Sequence, residues 1–589
     1  MNLREFIHFF SYETTRFLTP MLVATEWVFV AIGAILVAAA PPGLGWLLRR
    51  CRDGFRRLGA RRRLAIAICG LAPIAIRLSL AGVVPVPEPS IHDEFSHLLL
   101  GDTLAHGRLA NPPHPMWKHF ESIHIIQQPT YSSMYPPGQG AVLALGEAAF
   151  GEPWAGVVIS VGVMFAAICW MMQGWLPPKW AFFGTWIAIL KVGVVGLWMN
   201  SYLGGAVAAT GGALLFGAAV RIKRGEARTL HGVLAGLGPL ILMNTRPFEG
   251  AILTCAAFVY VAPSLWRMLL GERERLVRRI VAPAGILLLG GFVFTGYYCW
   301  RVTGDPLRMP YQVNRDTYGW PENLAFLPPK QLTLRHQAMQ NMYVKEVRNR
   351  EAYADFRRAV DSLVTRVFDN WVYLLGPLLT VPLFFLPRIF GNRRTRPLVV
   401  FVSIIAVLNL FQLVLYPYHL APIVPVVFAI VAEGARRIYL TLARAHRRRA
   451  NYFVVVLASG LIVVGGVKQW AQELAIPLFY WERAAEGHQQ TRAYLQQWLK
   501  SRPGQHLVIV RYAPHHDPNQ EWVYNGADID GSEVVWAREM DRASNARLLR
   551  YFSDREAWLL EADAYPQRVV RYRSVKDEIS SLRGCISCF

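Results

Sequence analysis

The chain has 589 residues, 53% of them hydrophobic, with 62 Lys and Arg against 40 Asp and Glu. Its apolar residues lie in long runs rather than short alternations, which excludes one large water-soluble core and points to a polytopic membrane protein. The formal charge of +22 is gathered in short loops between those runs, so it reports topology and argues against nucleic acid as a partner.

Taken in chain order, the first apolar run, 21–40, is too long for a signal peptide and ends without a cleavage motif, so no cleavable signal is expected. Further candidate spans follow at 64–84, 154–175, 180–198, 203–221, 231–246, 248–267, 279–299, 371–390, 398–416, 420–437 and 451–468. With the first run they make roughly twelve, each near the length needed to cross about 30 Å of hydrocarbon. Basic loops at 49–63, 221–228, 267–279, 388–396 and 436–449 are placed in the cytoplasm by the positive-inside rule. Residues 138–150 are too short to span; a crossing there would move every later basic loop outside, so a re-entrant or interfacial helix is expected.

With that orientation, the outward segments are loop 85–153, the turns at 200–205 and 244–250, loop 300–370, the turn 416–419 and everything after 469. Nearly every polar, Gly/Pro-punctuated motif therefore lands on one face. After 469 the charge rises, and short β-like segments at 506–512, 533–538 and 556–561 enclose a helical pattern at 544–552. That alternation predicts a C-terminal soluble α/β domain. Its His515-His516-Asp517 stretch lies between Pro514 and Pro518 in a turn, where a metal role is the lesser expectation. Seven cysteines imply no disulfide framework, and the tail pair Cys585 and Cys588 lacks a partner pair. The expected division is 1–63, an N-terminal span and basic cytoplasmic loop; 64–468, a transmembrane catalytic domain with external loops 85–153 and 300–370; and 469–589, a periplasmic α/β domain.

The chemistry is expected in the first external loop. His92-Asp93-Glu94-Phe95-Ser96-His97 sets adjacent carboxylates where a span leaves the membrane, and carboxylates there contribute nothing to lipid packing. Ser90 to Asp93 resembles a capping box, and Phe95, Leu98 and Leu99 form an apolar stripe. An amphipathic helix lying on the outer surface over 91–106 is predicted. Asp93 is the candidate base and shares a helix face with His97; the bland alternative is that it only caps the helix. Asp93 and Glu94 are also candidate ligands for a divalent cation, Mg or Mn. Further along the loop, Lys118 and His119 are candidates for attracting phosphate. Tyr135-Pro136-Pro137 steers the chain back toward the membrane, followed by Gln139.

Arg246, between two spans and followed by Glu249, is the candidate for a lipid phosphate, because a guanidinium stays charged and offers forked donors. An internal Arg246–Glu249 pair is the competing reading. Arg77, inside a span, is a second phosphate candidate that snorkelling would also explain. Tyr202, beside Gly204 and Gly205, fits either substrate contact or close helix packing. Tyr311 and Arg315 in loop 300–370 are placed to cover the site.

His92-Asp93-Glu94 after an early span, the return through Tyr135-Pro136-Pro137, and the many later spans together resemble the GT-C superfamily of membrane glycosyltransferases. That superfamily includes protein O-mannosyltransferases, the aminoarabinose transferase of lipid A, and oligosaccharyltransferases. The likeness covers 64–440 in architecture; with the C-terminal tail, the chain is similar to a bacterial group of glycosyltransferase-like proteins. It implies a GT-C-like bundle and inverting transfer of a hexosyl or pentosyl group from a polyprenyl-phosphate sugar donor. The acceptor would be a lipid, glycan or protein at the outer face of the bacterial inner membrane. The resemblance assigns Asp93 as base or acceptor-positioning group and Arg246 to the carrier phosphate, with a divalent cation used by some members. The chain departs from the mannosyl- and aminoarabinosyltransferase pattern in having Tyr-Pro-Pro-Gly at 135–138 and Asn200-Ser201-Tyr202 in place of an outer Asp-Met. Donor and acceptor are thus left open. A lipid-linked sugar transporter or flippase is the competing class, but no internal repeat is evident and the ionisable groups gather at one rim rather than mid-bilayer. A scaffold anchored by its spans would not need so many polar groups there.

Overall fold

The computed structural model describes residues 23–41, 45–89, 91–194, 196–319, 330–412, 416–473, 489–564 and 568–572. Ser90 and the Cys585 and Cys588 pair lie outside them. Among the described residues, five helices are long and apolar enough to cross a membrane: Pro153–Trp175, Gly205–Lys223, Pro247–Gly271, Arg273–Thr303 and Arg447–Gly466. A sixth is gained if Phe356–Leu374 and Gly376–Gly391, bent by 88°, are one broken span. The chain is a multi-pass membrane protein. Several of the other expected spans form shorter helices, interrupted by proline or by a π-turn; 180–198, for example, is a helix over Pro178–Ala188 running into Ile189–Gly193.

Two helices are central and three peripheral. The apolar window of Gly205–Lys223 is 94% buried and that of Pro153–Trp175 72%, against 28%, 11% and 22% for the other three. Phe258, Val259, Ile286, Leu289 and Phe292 accordingly stand exposed on the periphery. Such a belt has no place in water and suits hydrocarbon.

The loop 85–153 departs from its expected form. The helix His92–Ala105 exists, but Phe95, Ser96, Leu99 and Leu100 are at most 1% exposed and His92, Glu94 and His97 are buried as well. It is therefore not a surface helix. It packs on the Pro137–Phe150 helix, where Gly140 has to be glycine: a Cβ there would lie 2.3 Å from Leu100 Cγ. Its cap is Ile91, whose N–H points to Glu94 Oε2 at 3.5 Å; Asp93 is released from capping. Between the two helices the loop contributes a minimal antiparallel ladder, β1 (Ile125–Ile126) with β2 (Ser132–Ser133).

The C-terminal segment forms a four-stranded sheet. β3 (His506–Arg511), β4 (Val534–Arg538), β5 (Glu556–Glu561) and β6 (Arg568–Arg571) stand in the order β4-β3-β5-β6, parallel except for β5 against β6. The three longer strands lie close to the predicted segments, and the helix Arg542–Tyr551 connects β4 to β5. One face of this sheet shares a core with the first loop: Leu99, Phe120, Ile125 and Tyr131 pack with Leu507, Ile509, Val535 and Leu548. Arg492 adds to the junction, with its guanidinium 5.1 Å from the Phe95 ring and 4.8 Å from that of Trp536.

Candidate active site

Once free of capping, Asp93 turns into a cluster of aromatic and imidazole groups. The Tyr135 hydroxyl donates a short hydrogen bond to its Oδ1, and His124 Nδ1 lies 3.6 Å from the same oxygen and 3.2 Å from the Tyr135 oxygen. One helical turn on, His97 stacks on the Tyr135 ring at 4.2 Å. The His92 ring meets that of His124 edge-on at 4.9 Å. Tyr135 is itself fixed: its N–H donates to Ser133 Oγ at 3.0 Å and its carbonyl accepts from Tyr298 at 3.1 Å. His124 holds a left-handed backbone, φ 65°. That strain costs a non-glycine residue about 1–3 kcal/mol and is sustained by Ser96 Oγ (2.7 Å) and Met134 N (3.1 Å) donating to its carbonyl.

Burial opposes ionisation of Asp93, but His124, His92, the Tyr135 hydroxyl and His97 pull its carboxyl down to about 2. Burial also holds His97 down to about 3 and His124 to about 4, against the attraction of Asp93. At neutral pH the cluster is therefore a carboxylate among neutral imidazoles.

Arg246 enters from the far side. The hydrogen bond from Gly138 N–H to the Asn244 carbonyl, 2.8 Å, pins the Tyr-Pro-Pro-Gly turn against the turn that carries it. Gly138 cannot carry a side chain, since a Cβ would sit 2.5 Å from Asn244 O. The guanidinium lies over the Tyr418 ring at 4.9 Å. Burial and then Asp93 raise the hydroxyls of Tyr135 and Tyr418 well above their ordinary value, while Arg246 draws both back. Acid and guanidinium thus bear on the same two tyrosines. Among the described residues Arg246 forms no ion pair, with Glu249 or any other carboxylate, although Glu249 is buried in the following helical turn.

The other sequence candidates stand elsewhere. Glu94 accepts from Tyr202 N at 3.0 Å, Gln139 donates to the Tyr202 carbonyl at 2.9 Å, and Tyr202 donates to the Pro87 carbonyl at 3.0 Å. These three brace the back of the Asp93 helix. His119 bonds the Arg538 carbonyl at 2.9 Å, and the Lys118 carbonyl meets His336 at 2.8 Å, so this pair faces the C-terminal unit and loop 300–370. Arg315 donates to Tyr311 at 3.1 Å, and Tyr311 packs with Met134 and Tyr298 beside Tyr135. Arg77 is 1% exposed, not snorkelling; its donors go to Asn200 (2.8 Å), Val84 O (2.9 Å) and Pro85 O (2.7 Å). His516 also gives both ring nitrogens away, to Asp563 at 2.9 Å and Gln520 O at 2.9 Å, which leaves neither for a metal.

The sequence left metal ligation by the loop's histidines, His124 among them, as an open possibility, and assigned no site role to His92, His124 or Tyr418. His92 was visible as the neighbour of Asp93, but nothing in the spacing announces that His124 returns to it. One ligand atom from each of His92, Asp93 and His124 lies within 4.8 Å of the others. His92 Nδ1 is buried without a hydrogen-bond partner among the described residues. Two imidazoles and a carboxylate are a suitable donor set for a divalent transition metal. Glu94, expected as a co-ligand, is committed to Tyr202.

No family model matches the sequence, and no curated protein matches it. Among solved structures the chain is similar to ArnT, an aminoarabinose transferase, from Cupriavidus metallidurans bound to undecaprenyl phosphate: TM-score 0.49, 12% identity, 83% of this chain and 92% of that one. It is also similar to the Archaeoglobus fulgidus oligosaccharyltransferase in complex with Zn and sulfate, with TM-score 0.41, 12% identity and coverage of 76% and 60%. A third is the oligosaccharyltransferase AglB from the same organism with an inhibitory peptide and a dolichol-phosphate, with TM-score 0.39, 11% identity and coverage of 85% and 69%.

Proposed function

We propose that the protein is a glycosyltransferase that moves a hexosyl or pentosyl group from a polyprenyl-phosphate carrier to a lipid, glycan or protein acceptor. The reaction is assigned to the outer face of the bacterial inner membrane, within a GT-C-like bundle of roughly twelve membrane segments. One observation carries the reading: Tyr135, whose hydroxyl binds the Asp93 carboxylate, opens a turn pinned through Gly138 to the turn that bears Arg246, a guanidinium with no acidic partner among the described residues.

In the reaction, Asp93 takes the proton of the acceptor hydroxyl as its oxygen attacks the anomeric carbon. The bond from that carbon to the phosphate oxygen breaks, and polyprenyl phosphate leaves with the electron pair. The leaving group is already stabilised, so the protein has to orient it, neutralise its growing charge and exclude water. Arg246 supplies the charge, and the stacked His97 and Tyr135 hold the carboxylate in place. His92, Asp93 and His124 are the residues that would hold a divalent cation, with Mn a better match than Mg for imidazole donors. When bound, such an ion would supply Lewis-acid stabilisation of the phosphate. A carboxylate that ligates a cation is a weaker base, so the two roles compete for Asp93.

The test is transfer in membranes supplied with radiolabelled polyprenyl-phosphate sugars. Asp93→Asn should lose about 100- to 10,000-fold in rate while expression persists; unchanged transfer rejects the assignment. Chelation separates the two roles. Activity that survives EDTA fits the base, whereas activity lost and restored by Mn fits the ligand.

A further inference from the structure

The His124 arm of the cluster is held in place from outside the membrane bundle. One to five residues before it, the turn His119–Ile123 is gripped from two sides. On one side, Arg538 at the end of β4 and Glu521 form a buried pair at 2.5 Å, each side chain 3% exposed. Arg538 Nε donates to the Glu121 carbonyl at 2.5 Å, and Ser122 Oγ donates to Glu521 Oε2 at 3.0 Å. Glu521 is in turn oriented by the Tyr512 hydroxyl at 2.8 Å and Val523 N–H at 2.9 Å. On the other side, the Glu121 carboxylate meets Arg335 at 2.6 Å and His336 at 3.0 Å.

None of these clamping groups bonds Asp93, and the residue they deliver, His124, has a backbone that an unsupported loop would abandon. We infer that the C-terminal α/β unit is a positioning part of the active site, in which Arg538 and Glu521 lock the 119–123 turn so that His124 is presented to Asp93 and Tyr135. This rests on the catalytic reading of Asp93 given above. It explains why a buried ion pair, which hydrophobic residues of similar volume can often replace without loss of stability, bonds to the loop that carries the cluster. Arg538 and Glu521 are positioning residues: they act through Glu121 and Ser122.

The experiment uses the full-length protein in lipid, with undecaprenyl phosphate as the carrier probe. Glu521→Gln should raise hydrogen exchange across 119–126 and lower kcat about 100-fold, with carrier affinity unchanged. Ser122→Ala removes one contact without stranding a charge and decides the matter if Glu521→Gln fails to fold; it should lower kcat about 10-fold. The double variant R538M/E521M removes both charges together. It should fold and remain slow, because the turn is still released; wild-type turnover in it would reduce the pair to a folding device and overturn the inference. Unchanged exchange at 119–126, or carrier affinity falling in step with kcat, would overturn it too. If the wild-type protein transfers no sugar but the variants still free 119–126, the enzymatic reading fails and the clamp stands.

Discussion

At the scale of single residues, the distinction that matters is between buried polar groups whose partners are all found and those left facing the cluster. Arg77 and Arg246 looked alike in the sequence, each a guanidinium at membrane depth. Arg77 spends its donors on Asn200 and two carbonyls, whereas Arg246 lies against an aromatic face and pairs with no acid among the described residues. Arg246→Ala should therefore weaken carrier binding by about 1.5–3 kcal/mol, roughly 10- to 150-fold, measured with undecaprenyl phosphate in detergent or nanodiscs. Arg246→Lys should recover only part of it, because a lysine cannot reproduce the forked donors. Adjacent Asp93 and Glu94 separate by the same criterion. A helix turns its side chains by about 100° per residue, so one carboxylate faces the imidazoles and the other the Tyr202 amide.

At the scale of elements, the first loop is the organising piece. Its helix and its Tyr-Pro-Pro-Gly return could be read from pattern, but its burial could not, since part of what covers it lies far along the chain, as Glu521 lies 399 residues beyond Ser122. The covering contacts carry a pH signature. Burial raises the carboxyls of Glu121 and Glu521, but His336 and Arg335 for the first and Arg538 for the second bring both below the ordinary 4.5. A depressed folded value means that the unfolded chain binds protons more readily in acid. The stability these groups lend is thus complete above about pH 4.5 and is lost as pH falls through their folded values. A melting temperature steady from pH 7 to 5 and falling below 4.5, with a shallower fall in Glu521→Gln, is the expected result.

For the whole molecule, the C-terminal unit shares a core with the first loop rather than hanging from the bundle as an appendage. Leu99, Phe120, Ile125 and Tyr131 share its core. Uncovering four large side chains costs about 1.5–3 kcal/mol each, comparable in sum to the about 5–15 kcal/mol that stabilises an ordinary domain. A chain ended after residue 470 should be cleaved rapidly within 92–135 in limited proteolysis and should lose transfer altogether; an intact loop in that truncation would contradict the shared core. Membrane character, the helix that carries Asp93 and the strands of the C-terminal sheet were legible in the sequence, because hydrophobic length, periodicity and local charge are properties of neighbouring residues. Which histidines join Asp93, which arginine keeps its charge available and what holds His124 in its strained backbone were decided only by the fold. Those facts depend on contacts between distant segments, and no local pattern encodes them.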